Sequence, residues 1–357
     1  MGSEMCIRVS AVDGKCDQIW SFAPKLEMAP LGSPTLTVGS VLSVPHTIEI
    51  PNWIELASTV RGARDPILIG PRETSWNTRT PDGVGSLQLT RTGPTTVDAQ
   101  TWGPGAEWMM AQAPKLLGSA DDLGGFSPPP GRLSDTWNRR PFLLGRTDRL
   151  WDSLVGGILG QKVQAKNAYA SRRHMARRYG DPAPGPNGGW ILPSPERVAD
   201  MGYSDLHPCG VERKRAEIIL RAAREMPRLD RLVERTPEQV AARLERIRGI
   251  GPWTTAMITA TAMGNADAVP VGYFHLPNTV AWHLAGEERG DDARMLELLE
   301  PFNGHRWRVI RLAKSNGSAP KRGPRLSLTG DGLNMERGVG VKDGGSTSYS
   351  SNRSWGT

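Results

Sequence analysis

The sequence predicts an α+β protein, a small antiparallel sheet followed by a larger, mostly α-helical region. From about residue 35 to 103, short alternating runs, "TLTVGSVLSV", "GSLQLTRT" and "TTVDAQTW", are separated by the turn signals "TPDG" and "TGP". Beyond Trp137 apolar residues recur at helical spacing instead, and the Gly/Pro-rich "GGFSPPPGRLSD" between the two regimes reads as a linker. The expected organisation is a leader over 1–34 with no convincing period, a sheet-containing domain over 35–123, a linker over 124–136, a helical domain over 137–326, and a Gly/Ser-rich tail over 327–357 whose composition marks it as disordered.

The elements follow in order. "GAEWMMAQAPKLLG" reads as a helix that Pro114 would shorten or kink. "WDSLVGGILGQKVQAKNAYASRRHMARRYG" sets Leu154, Ile158, Ala165 and Tyr169 near one helical face despite its inner glycines, and "DPAPGPNGGW" reads as a surface loop. Ser194 is a candidate N-cap with Pro195 in the first helical position. "VERKRAEIILRAAREM" is amphipathic, and Thr236 and Gln239 have the capping-box spacing. Further helices are expected at about 252–263, 274–285, 291–300 and 305–315.

Charge limits the partners. The formal charge is +7 and the sequence pI near 9.5. Two acid-free stretches concentrate the surplus: six Lys or Arg between Ser153 and Gly180, and seven between Pro301 and Gly330. Either alone could be a solvated face; together they point toward nucleic acid. Cys6, Cys16 and Cys209 have no C-x-x-C spacing, which argues against a metal or disulfide framework and fits a reducing compartment. No run of 18 apolar residues suits a membrane span, and the N-terminus lacks the apolar core of a secretory signal. The expectation is a cytoplasmic protein with no membrane partner. The six histidines lack H-E-x-x-H spacing, and neither G-x-S-x-G nor a P-loop occurs, so no metal and no cofactor is expected.

The stretch "RIRGIGPWTTAMITA" has the form of a helix-hairpin-helix element. Gly249 and Gly251 allow a sharp turn, Pro252 starts a helix without wasting an N–H, and Ile247 and Ile250 would anchor the turn. Unpaired N–H groups and the helix dipole would then face outward as an anion site suited to a DNA phosphate. An ordinary interhelical turn is the alternative, because G-x-G alone is weak.

The ordered set "LGQKVQAKNAYASRRHMARRYG", "RIRGIGPWTTA", "DAVPVG" and "GDDARMLELLEPFNGHRWRVIRL" resembles the helix-hairpin-helix DNA glycosylase superfamily, most of all its 3-methyladenine DNA glycosylase II branch, over about 140–316. The resemblance implies base-excision repair by a monomer: bending double-stranded DNA, flipping a damaged base into a pocket and cleaving its N-glycosidic bond. It implies phosphate binding by Gly249, Ile250, Gly251 and Thr254, a base pocket lined by Trp253 and Met257, and DNA contact at Gln161 and Lys162, where the family inserts a side chain into the gap. For Lys162 the preferred role is phosphate contact. Trp253 stands where bifunctional relatives carry a Schiff-base lysine, so no lyase step is implied. It also implies a nucleoid-associated location.

One position departs from the pattern. The family places an aspartate directly after "VPVG", to stabilise the sugar cation as the base leaves; here that residue is Tyr273. A phenol, with a pKa near about 10, is neutral at cellular pH. Asp267 is expected to cap or turn the segment, and Asp291 and Asp292 to occupy the first turn of the next helix. His275 is expected to be structural, and Met109 and Met110 core. Two functions fit: a monofunctional, weakened glycosylase acting on alkylated purines, or a non-catalytic DNA-damage binder of the same fold.

Overall fold

The structure, a computed structural model, describes residues 46–51, 59, 67–69, 73–229, 231 and 234–320. The expected leader, the run "TLTVGSVLSV", the tail, and Lys321, Arg322 and Arg325 of the second basic stretch lie outside the described residues.

Five antiparallel strands, β1 (His46–Glu49), β2 (Ile67–Ile69), β3 (Glu73–Thr80), β4 (Gly83–Arg91) and β5 (Thr96–Trp102), lie in the order β1-β5-β4-β3-β2. "TPDG" makes the β3–β4 turn, where Thr80 Oγ1 donates to Gly83 O at 2.9 Å and Gly83 takes φ +126°. Trp76, Leu87, Leu89, Val97 and Ala99 pack with Met109, Ala113 and Leu116 of α1 (Ala106–Leu116), forming a core of their own. The helix runs through Pro114 and ends two residues later.

Two expectations are corrected beyond the sheet. The supposed linker runs into α2 (Arg132–Arg139), which docks through buried Leu133 and through Trp137, whose ring packs against Phe126 and Phe142. The stretch 151–180, whose apolar residues are expected near one helical face, holds two helices, α3 (Leu150–Leu159) and α4 (Ala165–Tyr179). Between them Gln161 N–H closes a tight turn on Ile158 O at 3.1 Å and Lys162 takes φ +56°, left-handed geometry that a helix cannot contain.

A short hairpin, β6 (Asp181–Pro182) with β7 (Trp190–Ile191), abuts the sheet, where Asn77 Nδ2 donates to Gly188 O at 3.2 Å. Next come α5 (Pro195–Ala199), α6 (Tyr203–Leu206), α7 (Arg213–Leu229) and α8 (Pro237–Leu244). Ser194 caps α5 and the Thr236–Gln239 box caps α8, so the polar signals for both starts operate as their chemistry predicts. The remaining helices are α9 (Pro252–Ala262), α10 (Leu276–Ala285), α11 (Asp292–Leu299) and α12 (Arg306–Ser315).

Helix α9 explains how the helical region is organised. Every residue from Thr254 to Ala262 is buried. Ile258 and Ala262 belong to a core built with α3, α4 and α7, whereas Ala256, Met257 and Ala260 belong to one built with α10, α11 and α12. A helix apolar on all sides must lie between partners. α9 is that shared wall, and the hairpin sits at its exposed end.

The basic stretches are partly consumed inside. Arg308 is fully buried in a two-pronged pair with Asp121, its Nη2 and Nη1 lying 2.7 and 2.9 Å from the carboxylate oxygens. Arg172 is buried against Asp152, donating to its carbonyl at 3.0 Å, and Arg306 pairs with Asp267. The acids come from distant segments, so a window of sequence counts these arginines as surplus when the fold does not. Lys162, Lys166, Arg173, Arg177 and Arg178 remain exposed.

Candidate active site

The hairpin follows α8. Ile247 and Ile250 are both buried and fix the turn from within. The two glycines differ in what they need. Gly249 has φ +101°, and a Cβ there would lie 2.6 Å from Ile218, so only glycine fits. Gly251 is extended, φ −116° and ψ −176°, and a Cβ there would meet nothing within 4 Å. Any demand for glycine at 251 comes from what approaches outside. Thr255 N–H, bonded to Gly251 O at 3.0 Å, begins the helical ladder of α9, so the earlier N–H groups lack intrahelical partners and mark an anion-attracting end.

Gln161 buttresses this turn. Its Nε2 donates to Gly249 O at 3.0 Å and to Thr254 Oγ1 at 2.9 Å. Arg215, buried on α7, donates from Nη1 to Leu159 O at 2.9 Å and so holds the end of α3 that leads into Gln161. Lys162 follows, exposed at the tip of the turn.

Between the hairpin, the α3–α4 turn and the segment 271–275 lies a cavity of about 960 Å³. Gly157 lets α3 approach α9, since a Cβ there would stand a tight 3.3 Å from Thr254, whereas a Cβ at Gly160 would make ordinary contact with the Trp253 ring at 3.5 Å. Trp253 and Tyr273, both half-buried, face each other with centroids 6.2 Å apart, and Lys314 Nζ lies 5.4 Å from the tyrosine ring centre. Met257 lines the interior.

Carboxylates near this wall are engaged, except that the buried Oδ1 of Asp292 has no hydrogen-bond partner. Asp267 accepts from Gly304 N–H at 2.8 Å, from Arg306 N–H at 3.2 Å and from the Arg306 side chain, whose pKa that side-chain bond, above all, raises. Asp291 caps α11 by accepting from Arg294 N–H at 2.8 Å, and Asp292 Oδ2 accepts from Gly272 N–H at 3.0 Å. Asp152 and Glu212 do line the cavity. However, Asp152 is held by Thr78 and Arg172, and Glu212 is exposed 3.4 Å from Arg215. Among the described residues no group of three or more His, Cys, Asp or Glu could hold a metal ion, and no helix is long and apolar enough to cross a membrane.

No protein-family model matches the chain. Curated relatives do. A DNA-3-methyladenine glycosylase of Bacillus subtilis is 30% identical over 175 residues, 45% of this chain and 57% of that protein. DNA-3-methyladenine glycosylase 1 of Schizosaccharomyces pombe is 23% identical over 161 residues, 41% of this chain and 66% of that protein. The chain thus spans between half and two thirds of the relatives it matches. Among solved structures, a 3-methyladenine DNA-glycosylase from Archaeoglobus fulgidus superposes with a TM-score of 0.62 at 18% identity, over 76% of this chain and 98% of that one. An 8-oxoguanine glycosylase/lyase from Clostridium acetobutylicum does so with 0.55 at 12%, over 76% and 98%. The chain is similar in sequence to DNA-3-methyladenine glycosylases over somewhat less than half its length, and it shares the fold of solved DNA glycosylases.

Read as a glycosylase fold, the site gathers residues far apart in sequence. Gln161, Lys162, Gly249, Gly251, Trp253, Thr254, Met257 and Tyr273 all line the one cavity. Ile250 does not; its side chain is in the core and its N–H is bonded to Ile247 O at 2.9 Å. Thr254 is 3% exposed and its hydroxyl oxygen accepts from Gln161, so its side chain belongs to the support of the hairpin. Sequence reasoning missed Arg215, which looks like any basic residue of an amphipathic helix. It also missed Phe274, although an aromatic beside Tyr273 in a turn was a visible signal.

Proposed function

We propose that this chain is a monofunctional DNA N-glycosylase of base-excision repair that acts slowly on alkylated purines. The observation that carries the reading is the phosphate-suited hairpin opening directly onto a cavity walled by Trp253 and Tyr273. A duplex phosphate would sit on the N–H groups of Gly251, Trp253 and Thr254, which precede the first helical bond of α9, with Lys162 of the α3–α4 turn supplying charge. An extrahelical base would stack on Trp253, a contact worth about 1–3 kcal/mol.

The reaction breaks the C1′–N bond, adds water at C1′ and releases the base. Positive charge builds on the sugar as the bond opens, and the phenol of Tyr273 carries no charge to oppose it. A cationic 3-methyl- or 7-methylpurine leaves as a neutral molecule and needs the least help. Neutral lesions, deaminated or etheno-modified purines, need the sugar cation stabilised and should be released poorly. Trp253 has no amine, so no covalent enzyme–sugar link forms and no strand is cut.

An abasic-site release assay on methylated duplex, under single-turnover conditions, tests this. Slow release of 3-methyl- and 7-methylpurines without strand scission is expected. Tight binding to lesion duplex with no release above the spontaneous rate would overturn it and leave a DNA-damage binder.

A further inference from the structure

The cavity does not end at the α3–α4 turn. Beyond Gln161 it continues as an arm between one face of α4, with Ala165, Ala168 and Tyr169, and the start of α7, with Glu212, Lys214 and Arg215. The whole volume, about 960 Å³, stands at the top of the range of about 300–1,000 Å³ that houses a drug-sized ligand. One purine on Trp253 is smaller than such a ligand and leaves the arm unused.

The arm carries an open ring and an underused cation. Tyr169 is 44% exposed although it lines the cavity, and the alanines beside it leave room over its ring. Lys214 is exposed and has no acid partner among the described residues. Arg215 is 7% exposed, yet among the described residues its side chain donates one hydrogen bond, from Nη1 to Leu159 O at 2.9 Å, and its buried Nε has no hydrogen-bond partner. Glu212 stands 3.4 Å from it without a hydrogen bond, on a side chain 62% exposed, so a stronger anion can displace it. A guanidinium carries several N–H donors in a fixed fork, and leaving most of them unmade in a buried site is costly.

We infer that this arm is a second nucleotide site, distinct from the base pocket, in which a base stacks on Tyr169 while Lys214 and the spare donors of Arg215 hold its phosphate. Aromatic rings accept any base on their face, and a guanidinium fork matches two phosphate oxygens. The same chemistry has two sources, a nucleotide of the bound duplex other than the extrahelical one, or a free nucleoside monophosphate. Only the first rests on the DNA-binding part of the proposed function.

The test uses the full chain, first without DNA. Calorimetric titration with 2′-deoxyadenosine 5′-monophosphate should show one saturable site, with inorganic phosphate and deoxyadenosine each binding more weakly. Tyr169→Ala should weaken the mononucleotide about tenfold, the scale of one stacking contact, and Lys214→Gln by a smaller factor, while Trp253→Ala leaves it unchanged. Arg215 also holds the end of α3, so the reading is taken at Tyr169 and Lys214. A duplex with a tetrahydrofuran abasic analogue then separates the sources. If it excludes the mononucleotide and itself binds more weakly to the Tyr169→Ala protein, the arm takes a nucleotide of the DNA; if both bind together, the arm takes a free one. The inference is overturned if no mononucleotide binds and Tyr169→Ala leaves duplex affinity unchanged. It is overturned equally if Trp253→Ala removes mononucleotide binding and Tyr169→Ala does not, which places the base in the pocket on Trp253. A protein that binds the mononucleotide through Tyr169 and binds no duplex keeps this site and overturns the proposed glycosylase instead.

Discussion

The two segments that meet at the cavity mouth, 247–254 and 268–275, are held on opposite terms. The hairpin is supported from beneath by Ile247, Ile250, Ile218 and the Gln161 amide, and its outer side is backbone, with an open space at Gly251. The second segment is supported by carboxylates, Asp267 on Arg306 and Asp292 on Gly272, and its outer side is aromatic, Tyr273 and Phe274. On the proposed reading the first segment is the phosphate site, and in the second the acids hold the scaffold while Tyr273 stands where a working carboxylate would be expected. The difference teaches that binding and bond cleavage, if the two segments serve them as proposed, would be separable by substitution.

The largest effect should come from restoring charge to the second segment. Tyr273→Asp should raise single-turnover excision of methylated purines by about 10²-fold, the scale of one preorganised electrostatic group, while affinity for undamaged duplex hardly moves. A folded Tyr273→Asp protein that binds lesion DNA and gains nothing would mean the two segments differ by more than one carboxylate.

Within the hairpin, the glycines should separate folding from contact. Gly249→Val forces a β-branched residue to φ +101° and into Ile218, so it should lower Tm by several degrees and weaken binding to every DNA sequence about tenfold or more. Gly251→Val should leave Tm unchanged and still weaken binding, since only an approaching phosphate meets the new side chain. Equal Tm losses in the two variants would break the distinction.

Trp253→Ala should lower the preference for lesion over intact duplex by about tenfold, one stacking contact, with little effect on intact duplex itself; equal losses on both would assign the ring to the core. The smallest effect belongs to Lys162→Ala, which should reduce the slope of log K against log salt by about 0.9, one phosphate's worth of counterion release. A titration of wild type and variant between low and moderate salt reads this directly.

What the sequence made legible follows from how local each signal is. Capping at Ser194 and Thr236, the turns "TPDG" and "TGP", and the hairpin itself are contained within a few residues, and all appear where their chemistry requires. The pairs Arg308–Asp121 and Arg306–Asp267 join residues 187 and 39 apart, so a basic stretch that looked free was committed elsewhere. The break after Gly160 was likewise invisible to a helical periodicity, because Gln161 obtains its partners, Gly249 O and Thr254, from the far side of the fold. At the site, Ile250 was readable as an apolar anchor of the turn and is buried, whereas the burial of Thr254, whose hydroxyl accepts from Gln161, was not readable because its partner lies 93 residues away.

The shared wall α9 has a thermodynamic consequence. Ile258 and Ala262 on one side, and Ala256, Met257 and Ala260 on the other, cannot leave either helical core without disrupting the second. The two clusters therefore melt as a single cooperative unit rather than one after the other, and the amides of this helix belong to the slowest-exchanging class. A phosphate held at its first turn, as proposed, would act on the whole unit at once. DNA binding would then raise the free energy of global unfolding, by mass action, instead of stiffening one surface loop.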